Sequence, residues 1–148
     1  MGTKAIDHVL VSEADLKQAW WAVTTGNNGA YIRSLFDVGG IRFETIHDTT
    51  WLADDLGLFI QASHTPGVIG LILKTEHHGT ILTTSDAIYT ADSYRQALPP
   101  GGTINATTDE FYDNLERIKA MEKNYNATLL FGHDIDQILD WAGQGVID

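Results

Sequence analysis

Between Leu58 and Thr84 the chain carries three short runs rich in apolar and β-branched residues: Leu58 to Ser63, Val68 to Lys74 and Gly79 to Thr84. His64-Thr65-Pro66-Gly67 separates the first two, and Thr75 to His78, with a turn at His77-His78-Gly79, separates the last two. Runs of this length bounded by glycine and proline read as strands, and connections this short leave room for little but a β-meander. The stretch commits the chain to a sheet, and the flanking segments must supply its cover.

Those segments read mostly as helices. His8 to Val11 is a short strand, after which the Ser12 hydroxyl can cap a helix running through Val23, with Asp15 in its first turn. Leu16, Ala19, Trp20 and Val23 recur at three- and four-residue spacing, the period of one buried helical face. Turn formers follow from Thr24 to Gly29, then a shorter helix from Ala30 to Val38 that Gly39-Gly40 ends. Arg42 to His47 alternates Phe43 and Thr45 against Glu44 and Ile46, as a strand would.

After the meander, Asp92 to Thr108 reads as a loop around Pro99-Pro100-Gly101-Gly102, and Thr108 can cap a helix from Asp109 to Asn124. That helix puts Phe111, Leu115, Ile118 and, less regularly, Met121 on one face, with Glu116, Lys119 and Lys123 outside, so it should lie against a sheet. Ala127 to Phe131 is a buried strand, and Asp134 to Trp141 a final short helix. This order predicts one domain over residues 1–148, of the α+β class: a mixed β-sheet with helices packed on one face.

Composition narrows the chemistry. Twenty acidic against nine basic residues give a formal charge of -11, which repels a phosphate backbone and disfavours nucleic acid as a partner. Cysteine is absent, so any metal must sit on histidines and carboxylates. No apolar run approaches the roughly 18 residues of a membrane span, and the N-terminus has no long apolar core; a soluble, cytoplasmic protein is expected.

Three segments place a metal-capable side chain at the end of a predicted strand, where loops gather to form sites. They are Ser63-His64-Thr65-Pro66-Gly67, Thr84-Ser85-Asp86-Ala87-Ile88-Tyr89 and Leu130-Phe131-Gly132-His133-Asp134. Taken singly, such a histidine is more often a hydrogen-bonded structural residue, and such an aspartate a helix cap. Taken together, two imidazoles and one carboxylate are ligand types that zinc accepts. His77-His78 reads as an ordinary surface turn, and the four tryptophans as core or interface.

As an ordered set, His-Thr-Pro-Gly at 64–67, Asp-Ala-Ile-Tyr at 86–89 and Phe-Gly-His-Asp-Ile-Asp-Gln at 131–137 resemble successive motifs of the metallo-β-lactamase superfamily. They are most similar to the C-terminal half of its acyl-homoserine-lactone lactonases, and His8 to Leu16 resembles the strand and helix after that family's first metal motif. The resemblance implies that His64 and His133 are metal ligands, that Asp86 is a carboxylate bridging two metals, and that the Tyr89 hydroxyl assists at the lactone carbonyl or leaving oxygen. It implies zinc as the metal, a small lactone or ester as the ligand, and half of an αββα sandwich as the fold.

Two departures stand against a complete centre. The family's His-x-His-x-Asp-His segment, which supplies four of its ligands, does not occur in this sequence; Asp7-His8 matches only its end, with Thr3 and Ala5 at the histidine positions. Val68-Ile69-Gly70 stands where the lactonases carry a second histidine and a polar pair. The sequence therefore points to a divergent or truncated lactonase-like domain with weak or no hydrolase activity alone. Its alternatives are a hydrolase completed by a partner chain or by oligomerisation, and a small-molecule binding module. Half a sandwich would leave one sheet face apolar and uncovered, so a homodimer through that face is expected.

Overall fold

The computed structural model describes residues 8–27, 29, 31–101 and 108–145. Ser12 closes β1 (His8–Ser12), and its hydroxyl accepts the Asp15 N–H at 2.9 Å, capping α1 (Glu13–Thr25). The helix stops at Gly26, whose φ of 74° is cheap only for glycine. Its buried residues are Ala19 and Ala22, whereas Trp20, expected on the buried face, is exposed and meets Phe36 edge-on with ring centroids 5.2 Å apart. Small alanines let the helix approach the sheet closely, and the bulky indole is turned to the rim.

The helix expected over Ala30 to Val38 is a single turn, α2 (Arg33–Phe36); Ala30 itself lies outside the described residues. A run this short with no side-chain cap does not propagate. The strand β2 (Arg42–Ile46) then pairs in parallel with β1, from His8 against Arg42 to Ser12 against Ile46.

The meander belongs to a second sheet. Its strands are β3 (Thr50–Trp51), β4 (Leu56–Gln61), β5 (Val68–Thr75) and β6 (Gly79–Ser85), each antiparallel to the one before. The two-residue β3 carries no periodicity of its own and was not readable in the sequence. The stretch from Asp92, expected as loop, contains α3 (Ala91–Gln96), whose first turn is capped by Thr90 Oγ1 accepting from the Ser93 N–H at 3.1 Å. A capped turn thus precedes the Pro-Pro-Gly-Gly segment, of which Gly102 lies outside the described residues.

The long helix α4 (Thr108–Tyr125) leads into β7 (Thr128–Phe131), which joins β6 in parallel, and α5 (Ile135–Gln144) ends the described chain. The order β3-β4-β5-β6-β7 makes the expected mixed sheet. Phe59, Ile72, Leu82, Leu129 and Phe131 project from one face onto Phe111, Leu115 and Ile118 of α4, with Ile88 between them, forming the core.

The opposite face carries Leu56, Ile69, Leu71, Leu73 and Leu130, all half-buried. There β1 lies against β5 at one end, and a cleft of about 490 Å³ lined by Leu56, Leu73, Ile81 and Leu130 opens at the other. Among the described residues no helix is long and apolar enough to cross a membrane.

Candidate functional site

Because β4 and β6 are both antiparallel to β5, they run the same way, and β7 runs parallel to β6. The loops that follow these three strands therefore emerge at one edge of the sheet. They are the loops carrying His64, Asp86 with Tyr89, and His133.

Hydrogen bonds lock the loops together before any functional side chain is considered. Ser63, fully buried, donates its hydroxyl to the Ala87 carbonyl at 2.9 Å, and the His133 N–H donates to the Tyr89 carbonyl at 3.0 Å. Asp134 caps α5 through the Gln137 N–H and also accepts the Ala91 N–H at 2.9 Å. Those backbone donors hold its carboxyl below the usual carboxylate range. A Cβ on Gly132 would stand 2.8 Å from the Ser85 carbonyl oxygen, so the close approach of these two loops requires glycine.

On this frame the four predicted residues form one contiguous group. Asp86 Oδ1 and His133 Nε2 are 2.9 Å apart, and the Tyr89 ring lies against that of His133 with centroids 4.4 Å apart. The Tyr89 hydroxyl donates to the Gly101 carbonyl at 3.2 Å and stands 3.4 Å from His64 Nδ1. Partial burial and the nearby Asp86 charge push the Tyr89 phenol above its ordinary pKa, so it is protonated at neutral pH.

The donor types suit a borderline divalent ion, but their arrangement does not make a three-donor cage. Asp86 and His133 are bonded to each other, and His64 stands across the tyrosine. Among the described residues no three histidines or carboxylates come together at ligand spacing.

Beside His133 a cleft of about 560 Å³ opens between α3 and α5, lined by Thr90, Asp92, Arg95, Asp136, Asp140 and Trp141 among others. His8 and His47 are engaged elsewhere, with Glu44 and Glu13, and His77-His78 occupies the turn from β5 to β6, as its sequence suggested.

One contributor was not legible in the sequence. Asp15, read there only as a first-turn helix residue, accepts the Thr65 hydroxyl at 2.9 Å and the Gly67 N–H at 3.1 Å. Burial raises its carboxyl pKa, against the opposing pull of those two hydrogen bonds and of His64. Its partners lie fifty and fifty-two positions away. No local pattern announces such a pair.

The fold is shared with solved N-acyl homoserine lactone hydrolases and, at a TM-score of 0.55 and 20% identity over 86% of this chain and 56% of that one, with a putative metallo-β-lactamase from Thermotoga maritima. No family model matches the sequence. The chain is nevertheless 28% identical over 123 residues to the N-acyl homoserine lactonase AttM of Rhizobium radiobacter, covering 77% of this chain and 44% of that one. It is 31% identical over 80 residues to the lactonase AiiA of Bacillus thuringiensis subsp. kurstaki, covering 54% and 31%. It superposes with a TM-score of 0.75 and 21% identity on an N-acyl homoserine lactone hydrolase solved with N-hexanoyl-L-homoserine at its catalytic metal centre, covering 90% of this chain and 49% of that structure.

The chain thus resembles the N-acyl homoserine lactonases in sequence and has their fold over about half their length.

Proposed function

We propose that the chain is a lactonase-like domain that keeps part of a metal site and, on these residues alone, has weak or no hydrolase activity. The observation that carries this reading is the gathering of His64, Asp86, Tyr89 and His133 at one sheet edge, in a sequence that lacks the His-x-His-x-Asp-His segment. Hydrolysis of a lactone or ester needs an activated water and a proton donor for the leaving oxygen. Tyr89, protonated and facing the cluster, suits the second task. Zinc is the ion these donor types favour; His64, Asp86 and His133 would hold it weakly, and only once the Asp86–His133 pair opens, since as they stand they make no three-donor cage, and a full shell needs ligands from outside these residues. The reading also includes a single domain, a cytoplasmic location, and a second copy of the chain over the sheet face that carries Leu56 and Leu73.

Zinc titration by calorimetry, followed by dialysis, elemental analysis and light scattering, tests these points together. The expected result is a dimer that binds one ion per chain weakly, loses it on dialysis, and loses the binding heat in His64→Ala and His133→Ala. Retention of two ions per chain with lactone turnover would overturn the reading in favour of a complete hydrolase.

A further inference from the structure

We infer that Asp15 is a positioning residue for the candidate site: its carboxylate clamps the turn that presents His64 to Tyr89. The inference rests on the functional reading above only for its consequence; the clamp itself is a matter of geometry.

The turn leaves β4 at Gln61 and reaches β5 at Val68, with His64 at its centre. Before the histidine it is tied by Ser63, whose hydroxyl reaches the Ala87 carbonyl and whose N–H donates to the Thr65 carbonyl at 3.0 Å. After the histidine the ties are different in kind, because both end on one carboxylate. Thr65 Oγ1 donates to Asp15 Oδ2, and the Gly67 N–H donates to Asp15 Oδ1. Each oxygen of Asp15 thus holds one point of the turn, and a charged acceptor makes each bond stronger than a neutral one would be.

The clamp is also rigid at its base. Asp15 cannot drift, since its own N–H is fixed by Ser12 Oγ at the start of α1. Nor can the turn be lifted outward without loss, because Gly67 is packed onto that cap: a Cβ there would lie 1.8 Å from Ser12 Oγ and 3.2 Å from the Asp15 nitrogen. An ordinary N-terminal helix aspartate faces solvent and needs no such glycine. Asp15 is half-buried, and it accepts these costs while bonded to two groups flanking a single functional side chain.

Carboxylate removal should therefore move His64 before it moves the fold. The test uses the full chain without added metal and compares Asp15→Ala, Asp15→Asn and Ser12→Ala. Two readouts are taken: the imidazole resonances of His64 in long-range proton–nitrogen spectra, and thermal melting. Asp15→Ala is expected to shift and broaden the His64 signals and to speed amide exchange at Gly67 by about tenfold, the value of one lost hydrogen bond. Asp15→Asn, which keeps an acceptor, should restore part of both. Ser12→Ala, which loosens the base of the clamp but keeps both of its bonds to the turn, should lower the melting temperature and shift His64 less than Asp15→Ala does.

If Asp15→Ala does not fold, Thr65→Val removes one of the two bonds alone and should shift His64 in the same direction. Unchanged His64 signals in Asp15→Ala or Thr65→Val, whatever the melting temperature, would reduce Asp15 to a structural helix residue and overturn the inference. Because no metal is present, that outcome is separate from a failure of the zinc titration.

Discussion

The two faces of the five-stranded sheet are built from the same strands and end in different conditions. On β5, Ile72 points into the face covered by α4 and is completely buried, while its neighbour Leu73 points to the other face and lines an open cleft. One face is a packed core; the other is apolar and, among the described residues, is approached by β1 at one end and open at the cleft that Leu73 lines, with Leu58 and Ile81 buried on it. The difference shows that the described residues pack the helix-facing side of the sheet as a core and leave the other side, though apolar, only partly covered. Its relatives of known structure are about twice as long over the same fold, which is consistent with that division.

The largest expected effect follows from this contrast. Ile72→Ala should cost about 2–5 kcal/mol in unfolding free energy, whereas Leu73→Ala, half-exposed, should cost about 1 kcal/mol. Denaturant melts of the two variants side by side would measure it. Equal costs would break the comparison and mean that the open face is covered in solution. A dilution series then decides by what, because cover by a second copy makes the Leu73→Ala cost depend on protein concentration.

A second variant sharpens the covered face from the side of overpacking. Gly70 pairs with Phe59 across β4 and β5, and a Cβ there would stand 2.2 Å from Gln61 Nε2, 2.5 Å from the Thr83 carbonyl oxygen and 2.6 Å from Phe59. Gln61 is buried with its carbonyl oxygen unpartnered among the described residues, so it has little freedom to yield. Gly70→Ala should cost about 1–3 kcal/mol by the same melts. A neutral substitution would mean that the core is looser than its contacts imply.

Much of this was legible in advance, and the reason is local chemistry. The three strands of the meander, the Ser12 cap and the amphipathic face of α4 each follow from patterns that fit within one element. The strand ends that carry His64, Asp86 and His133 were legible in the same way, whereas their grouping followed only from the resemblance of the three motifs, taken as an ordered set, to those of the lactonases. What escaped was set by distance or by scale. Trp20 had the right period and the wrong exposure, because Ala19 and Ala22 let the backbone approach the sheet and turned the indole aside. The α3 helix hid behind its Pro-Pro-Gly-Gly neighbour. Asp15 escaped altogether, because a carboxylate that clamps a turn fifty positions away looks, in the sequence, like any residue of a helix start.

The smallest expected effect lies at Tyr31, close to the Asp15 carboxylate of α1. Tyr31 has its hydroxyl buried with no hydrogen-bond partner among the described residues, and burial together with the nearby Asp15 charge pushes its pKa from 10.0 up to about 12. A phenol whose folded pKa lies above its unfolded one contributes stability that is fully present below the unfolded value. That stability is lost as pH rises through the folded one. The wild type should therefore lose stability between pH about 10 and about 12, and Tyr31→Phe should make that limb shallower without abolishing it, because the Tyr94 and Tyr89 phenols are also raised; neutral-pH stability should be nearly unchanged or slightly raised, since an unpartnered hydroxyl is removed. Absorbance titration of the phenolates alongside alkaline melts would check it. If Tyr31 instead titrates near 10, water reaches its hydroxyl and the packing beside Asp15 is looser than its burial implies.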